Sequence, residues 1–170
     1  MNLQKNVGVA LAAAVLCVLS PFAIPLGFVP LTFATVGVYL AACLLGPWRG
    51  AAAVGVYLLL GAVGVPVFAG FIGGAQQLFG LTGGFLWGYI PCAVVIGLLA
   101  ERSERLTPLW LLCGTVVLYT AGTGWYIGQT GASLPTAMLA CVMPFLVMDG
   151  IKIVAASVLL AALRKRTRRM

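Results

Sequence analysis

The sequence predicts an all-α integral membrane protein: a single polytopic domain over residues 1–170, with six transmembrane helices and both termini in the cytoplasm. Three observations carry this prediction. The chain is 62% hydrophobic and only 8% charged, with a mean hydropathy of +1.13. A soluble domain is roughly 45–50% apolar and about 25% charged, so this composition cannot coat a water-facing globule. The apolar residues gather into six runs, each near the ~20 residues that a helix needs to cross a bilayer. Finally, the charges between the runs all fall on one side of that six-span arrangement.

The runs cover about 7–24, 31–47, 50–69, 83–100, 107–128 and 136–163, and a basic tail, 164–170, follows them. Lys5 precedes the first run, and Arg49 separates the second from the third. Glu101, Arg102, Glu104 and Arg105 lie between the fourth and fifth, while Arg164, Lys165, Arg166, Arg168 and Arg169 form the tail. With six spans these positions share one side, and the opposite connections carry no charge. The positive-inside rule assigns the charged side to the cytoplasm of a bacterial cell membrane. The net charge of +7 therefore orients the chain and attracts anionic headgroups, and it does not point to nucleic acid. The first run follows Lys5 as a signal peptide would, but it outlasts a typical h-region. Leu16 before Cys17 is also unsuited to lipoprotein cleavage, so helix 1 is expected to be retained.

Several function classes are excluded. There is no histidine, which removes His-based acid–base chemistry. No lysine follows a glycine, so the chain has no Walker A loop and any ATP must act through partner subunits. The cysteines Cys17, Cys43, Cys92, Cys113 and Cys141 form no C-x-x-C pair and read as small buried hydrophobes. The spans hold one carboxylate, too few for an aspartyl dyad. The chain is expected to be neither an enzyme nor the holder of a metal or cofactor.

The outer connections are unusual. The first, 21–30, has Pro21, Pro25 and Pro30, which block a continuous helix, yet it is mostly apolar and should fold back on the protein. The second, about 65–82, is glycine-dense, and irregular backbone at membrane depth must find partners in protein, cavity water or a ligand. The third, 128–135, is short and polar, with Ser133 placed to cap the sixth run. Together these loops are expected to lid an outward-facing pocket.

Asp149 and Lys152 are the only charges inside a span. Each costs about 2.5–3.5 kcal/mol near the bilayer centre. Three residues apart, they share a helix face and can pair, with Phe145 one turn from Asp149. A carboxylate accepts N–H groups and an ammonium donates to oxygens, so the site suits a small molecule bearing both kinds of group on an apolar body. Candidate lining comes from Thr82, Gly83, Gly84 and Phe85 at the start of the fourth run, with Tyr89 one turn on. Further candidates are Gly73, Gly74, Gln76 and Gln77 in the second loop, Phe33, and Trp125. Trp125 and Tyr126 equally suit an interfacial aromatic belt. On the first run, Ala10 and Ala14 give small residues one turn apart, which permits close helix contact.

These residues carry a family resemblance. Pro25-Leu-Gly-Phe-Val-Pro-Leu-Thr-Phe33, Leu44-Leu-Gly-Pro-Trp-Arg-Gly50, the stretch from Tyr57 to Gly70, Thr82-Gly-Gly84 and Phe145-x-x-x-Asp149-x-x-Lys152 resemble the biotin-specific (BioY-like) S components of energy-coupling factor (ECF) transporters. The sequence departs from that pattern at Leu81, where Pro is usual, and at Phe85, where Tyr is usual. The resemblance implies a six-helix S-component bundle that captures biotin from outside. It also implies docking, through a helix-1 face containing Ala10 and Ala14, on a transmembrane coupling protein with two cytoplasmic ATPase subunits. Biotin's ureido N–H groups would go to Asp149 and one of its oxygens to Lys152. The alternative is a gradient-driven or stand-alone carrier for biotin or another vitamin.

Overall fold

The structure is a computed structural model that describes residues 3–26, 29–103 and 106–167. Ten elements follow one another: α1 (Leu3–Leu19), β1 (Ala23–Leu26), β2 (Val29–Thr32), α2 (Ala34–Leu45), α3 (Pro47–Ala62), α4 (Gln76–Phe79), α5 (Gly83–Ala100), α6 (Thr107–Thr130), α7 (Leu134–Cys141) and α8 (Leu146–Thr167). Glu104, Arg105, Arg168 and Arg169 of the expected cytoplasmic charge lie outside the described residues.

Three expectations need correction. The chain is not all-α: the proline-rich first connection pairs as an antiparallel hairpin in the register Ala23↔Thr32, Pro25↔Pro30, Leu26↔Val29. Proline fixes φ near −65° and holds its predecessor extended, so three prolines that forbid a helix favour this ribbon. Because β2 takes residues 29–32, α2 begins at Ala34, later than expected. Next, the sixth apolar run is two helices, α7 and α8, interrupted over 142–145. Pro144 lacks the N–H that would continue the ladder, and its ring opposes the carbonyl four residues back. Last, the third run ends early, at Ala62. Gly64 (φ 104°) and Pro66 turn the chain there. The fourth run matches its expected bounds, 83–100.

The bundle core is built around Leu16, Val38, Tyr39, Val54, Tyr57, Ile96 and Leu111, all fully buried. Two pairs of its hydroxyls bond each other: Ser20 with Tyr57 at 2.5 Å and Tyr39 with Thr115 at 2.6 Å. Such pairing offsets the cost of removing a hydroxyl from water. α5 and α6 approach closely because glycines face the partner helix. A Cβ on Gly84 would overlap the Cβ of Trp125, and one on Gly122 would overlap the Phe85 ring. At the far end of the bundle, Arg164 of α8 donates to Thr107 Oγ1 (3.2 Å) and to the Cys43 carbonyl in the last turn of α2 (3.3 Å).

Much of the outside is apolar. Val7, Leu11, Leu59, Val63, Val147, Val154 and Val158 are all exposed. By length and composition, α5 and the segment Leu146–Lys165 are each long and apolar enough to cross a membrane. In the latter only 28% of the residues are buried, so most of this apolar helix faces away from the protein. A core helix of a soluble domain would be mostly covered.

Candidate functional site

A cavity of about 220 Å³ opens between the hairpin, the 65–82 loop and the first turns of α2, α5 and α8. Each wall has a local cause. The hairpin contributes Pro30, Leu31 and Thr32. The second loop is drawn over it by the Gly70 N–H on the Pro21 carbonyl (3.0 Å) and by the edge-to-face rings of Phe22 and Phe71, 5.6 Å apart. That loop supplies Phe68, Ala69, Ile72 and Gln77. α5 contributes Phe85, Leu86 and Tyr89, and α6 contributes Leu118 and Tyr119.

The charged floor comes from α8. The break at Pro144 starts a new helix so that Asp149 falls in its first turn, where the helix dipole favours an anion. Lys152 Nζ donates to Asp149 Oδ1 at 2.9 Å, with both side chains buried. The Tyr119 hydroxyl donates to Asp149 Oδ2 at 2.6 Å. Each carboxylate oxygen thus has one internal donor and keeps lone-pair capacity for another. The ammonium, with one of its three N–H groups on Asp149, can still donate. The floor therefore presents acceptors and donors side by side with no net charge, beneath apolar walls. Among the described residues no three His, Cys, Asp or Glu side chains converge on a metal position.

Seven of the sequence candidates line this cavity: Asp149, Lys152, Phe145, Tyr89, Thr82, Phe85 and Gln77. The others sit elsewhere. Gln76 turns back to donate to the Gly73 carbonyl at 3.1 Å, and its neighbour Gln77 lines the cavity instead. Phe33 is 43% exposed beside the start of α2. Trp125 donates its indole N–H to the Gly80 carbonyl at 3.0 Å, pinning the end of the second loop to α6. Gly83 and Gly84 serve packing: Cβ atoms there would strike the Leu78 carbonyl and Trp125. Gly73 lies against the Gly64 and Val65 carbonyls, and the Gly74 N–H bonds the Gly61 carbonyl at 2.7 Å. Ser133 makes no side-chain cap for α7; its hydroxyl pairs with Thr136 at 2.9 Å. Ala10 and Ala14 are exposed on α1 together with Val7, Leu11 and Val18.

Sequence reasoning missed Tyr119, because a tyrosine inside an apolar run carries no pattern of its own. It also missed Thr35 and Ser20, whose place at the cavity depends on how the hairpin seats the chain.

Comparison with known proteins comes from both sequence and fold. The BioY family profile matches residues 1–169. The chain is 42% identical over 149 residues to the biotin transporter BioY of Thermotoga maritima, covering 84% of this chain and 85% of that protein. It is 38% identical over 170 residues to the biotin transporter BioY of Rhodobacter capsulatus, covering 89% of each. The crystal structure of an S component for biotin from an ECF-type ABC transporter superposes with a TM-score of 0.87 at 27% identity, covering 97% of this chain and 95% of that one.

Proposed function

We infer, from the premise that the chain belongs to the BioY family, that it is a biotin transporter's substrate-binding S component. It is a binding subunit and not an enzyme. The observation that carries this reading is the neutral Asp149–Lys152–Tyr119 cluster on the floor of an otherwise apolar cavity. Biotin's ureido ring presents two N–H donors beside one carbonyl acceptor on an apolar bicycle. The carboxylate takes the donors and the ammonium meets an oxygen, while Phe68, Phe85 and Phe145 enclose the rings.

The chain is multi-pass in this reading. α1, α2, α3, α5, α6 and the α7–α8 pair make six passes, which puts both termini and the Arg164 end in the cytoplasm. The apolar exterior supports membrane residence. The cavity, at the opposite end of α8, then faces outward beneath the hairpin and second loop.

A titration of the purified, detergent-solubilised chain with biotin, without ATP, tests the reading. Tight one-to-one binding is expected, and no heat from demonstrably folded protein would overturn it. The chain has no nucleotide loop of its own, and the S component it resembles belongs to an ECF-type ABC transporter; in this reading uptake is energised by a transmembrane coupling protein and two ATPase subunits. The exposed Ala10–Ala14 face of α1 is the docking surface. A10L/A14L protein is expected to bind biotin as the parent does, while uptake by cells carrying the partners falls at least about tenfold. Unchanged uptake would remove that face from the assembly.

A further inference from the structure

Two buried hydroxyl oxygens lack a hydrogen-bond partner among the described residues, those of Thr35 and Thr123. They differ in what their helices offer. Thr123 lies well inside α6, where a threonine can turn its hydroxyl onto the carbonyl four residues back, as Thr115 does to Leu111 (2.8 Å) and Thr130 to Tyr126 (2.7 Å). Thr35 has no such carbonyl. It is the second residue of α2, and the positions three and four before it, Thr32 and Leu31, belong to β2.

Thr35 is only 6% exposed and is a lining residue of the cavity that Asp149 and Lys152 floor; its oxygen is covered in the ligand-free chain, so reaching a ligand takes a χ1 rotation. Because α2 runs alongside α8, with Arg164 fastened to Cys43 at the far end, the first turns of both helices border the same space. Burying a hydroxyl without a partner costs folding free energy. An unpaired buried hydroxyl calls for a partner, and a ligand in this cavity can supply one.

We propose that Thr35 is a specificity-determining residue of this site, its hydroxyl donating to the carbonyl oxygen of the bound ureido ring. The inference rests on the biotin reading above. Asp149 is the cavity's anionic acceptor and takes the ring's N–H groups, which leaves the ring carbonyl in need of donors. Lys152 supplies one and Thr35 the second. Two donors on one carbonyl oxygen select an oxygen at that position over a sulfur, which is a weaker acceptor.

The test uses Thr35→Val, which keeps the shape and removes the hydroxyl, and Thr35→Ser, which keeps the hydroxyl. Each purified chain is titrated with biotin and with the analogue whose ureido oxygen is replaced by sulfur, and its ligand-free melting temperature is measured. T35V is expected to bind biotin about tenfold more weakly and to lose most of the preference for oxygen over sulfur. Its ligand-free melting temperature is expected to equal or exceed the parent's, because an unsatisfied group has gone. T35S is expected to retain the preference. Equal weakening toward both ligands, or a fall in ligand-free melting temperature that accounts for the lost affinity, would overturn the proposal while leaving the biotin reading intact. A parent chain that is folded but binds neither ligand would overturn both.

Discussion

Replacing Asp149 by Asn is expected to lower biotin affinity by at least about a hundredfold, equivalent to roughly 2.7 kcal/mol. Asparagine keeps the size of the side chain but turns one acceptor oxygen into a donor nitrogen, facing Lys152 Nζ or the Tyr119 hydroxyl, both of which now donate to Asp149. The variant also strands the Lys152 ammonium, which is 6% exposed. Breaking a buried pair from one side typically costs about 3–5 kcal/mol, because the remaining charge stays desolvated. Affinity and melting temperature should therefore fall together in D149N. Removing both charges separates the two effects. Since a buried pair adds little net stability over an apolar replacement of similar volume, the double variant D149L/K152M is expected to melt above D149N yet bind no biotin. Titration calorimetry and thermal melting in one detergent measure both quantities. Parent-like biotin affinity in D149N would remove the carboxylate from the site.

Gly84→Ala is expected to destabilise the chain by about 2–3 kcal/mol. The added Cβ would overlap the Cβ of Trp125 and lie 3.0 Å from the Ala121 carbonyl. Trp125 has little freedom to retreat, because its indole is bonded to the Gly80 carbonyl. Relief would come only by parting α5 from α6, and those helices carry Tyr89 and Tyr119 of the cavity lining. Gly124→Ala, on the same helix as Trp125 but with no atom within 4 Å of its added Cβ, is the control. It is expected to be neutral or slightly stabilising, by up to ~1 kcal/mol of helix propensity. Similar melting temperatures for the two variants would show that the helices can part without cost.

The two charges were the most readable part of the site, since their price inside a bilayer admits few uses. Their spacing fixed the pairing and placed Phe145 beside them. Local register was less readable. Adjacent positions on a helix point about 100° apart, so Gln76 and Gln77 are equivalent in composition, and only the seating of α4 decides which enters the cavity. Glycine was ambiguous in the same way. Gly83 and Gly84 suggested backbone laid open to a ligand, whereas the structure spends them on helix contact. The hairpin escaped notice because proline content argues against helix without specifying a partner strand. Tyr119 and Thr35 enter through long-range packing that no short window contains.

The cavity draws on both ends of the polypeptide, and this bears on the order in which the protein is made. Ser20, Thr32 and Thr35 emerge early from the ribosome, but the floor they face is carried by α8, which is synthesised after every other element. A nascent chain made only through α6 has walls and no charged floor, so in the proposed reading it has no ligand site to stabilise it. The counter-ion for Asp149 sits three residues away on the same helix. That helix therefore brings its own charge compensation and does not depend on Tyr119 of α6 for it.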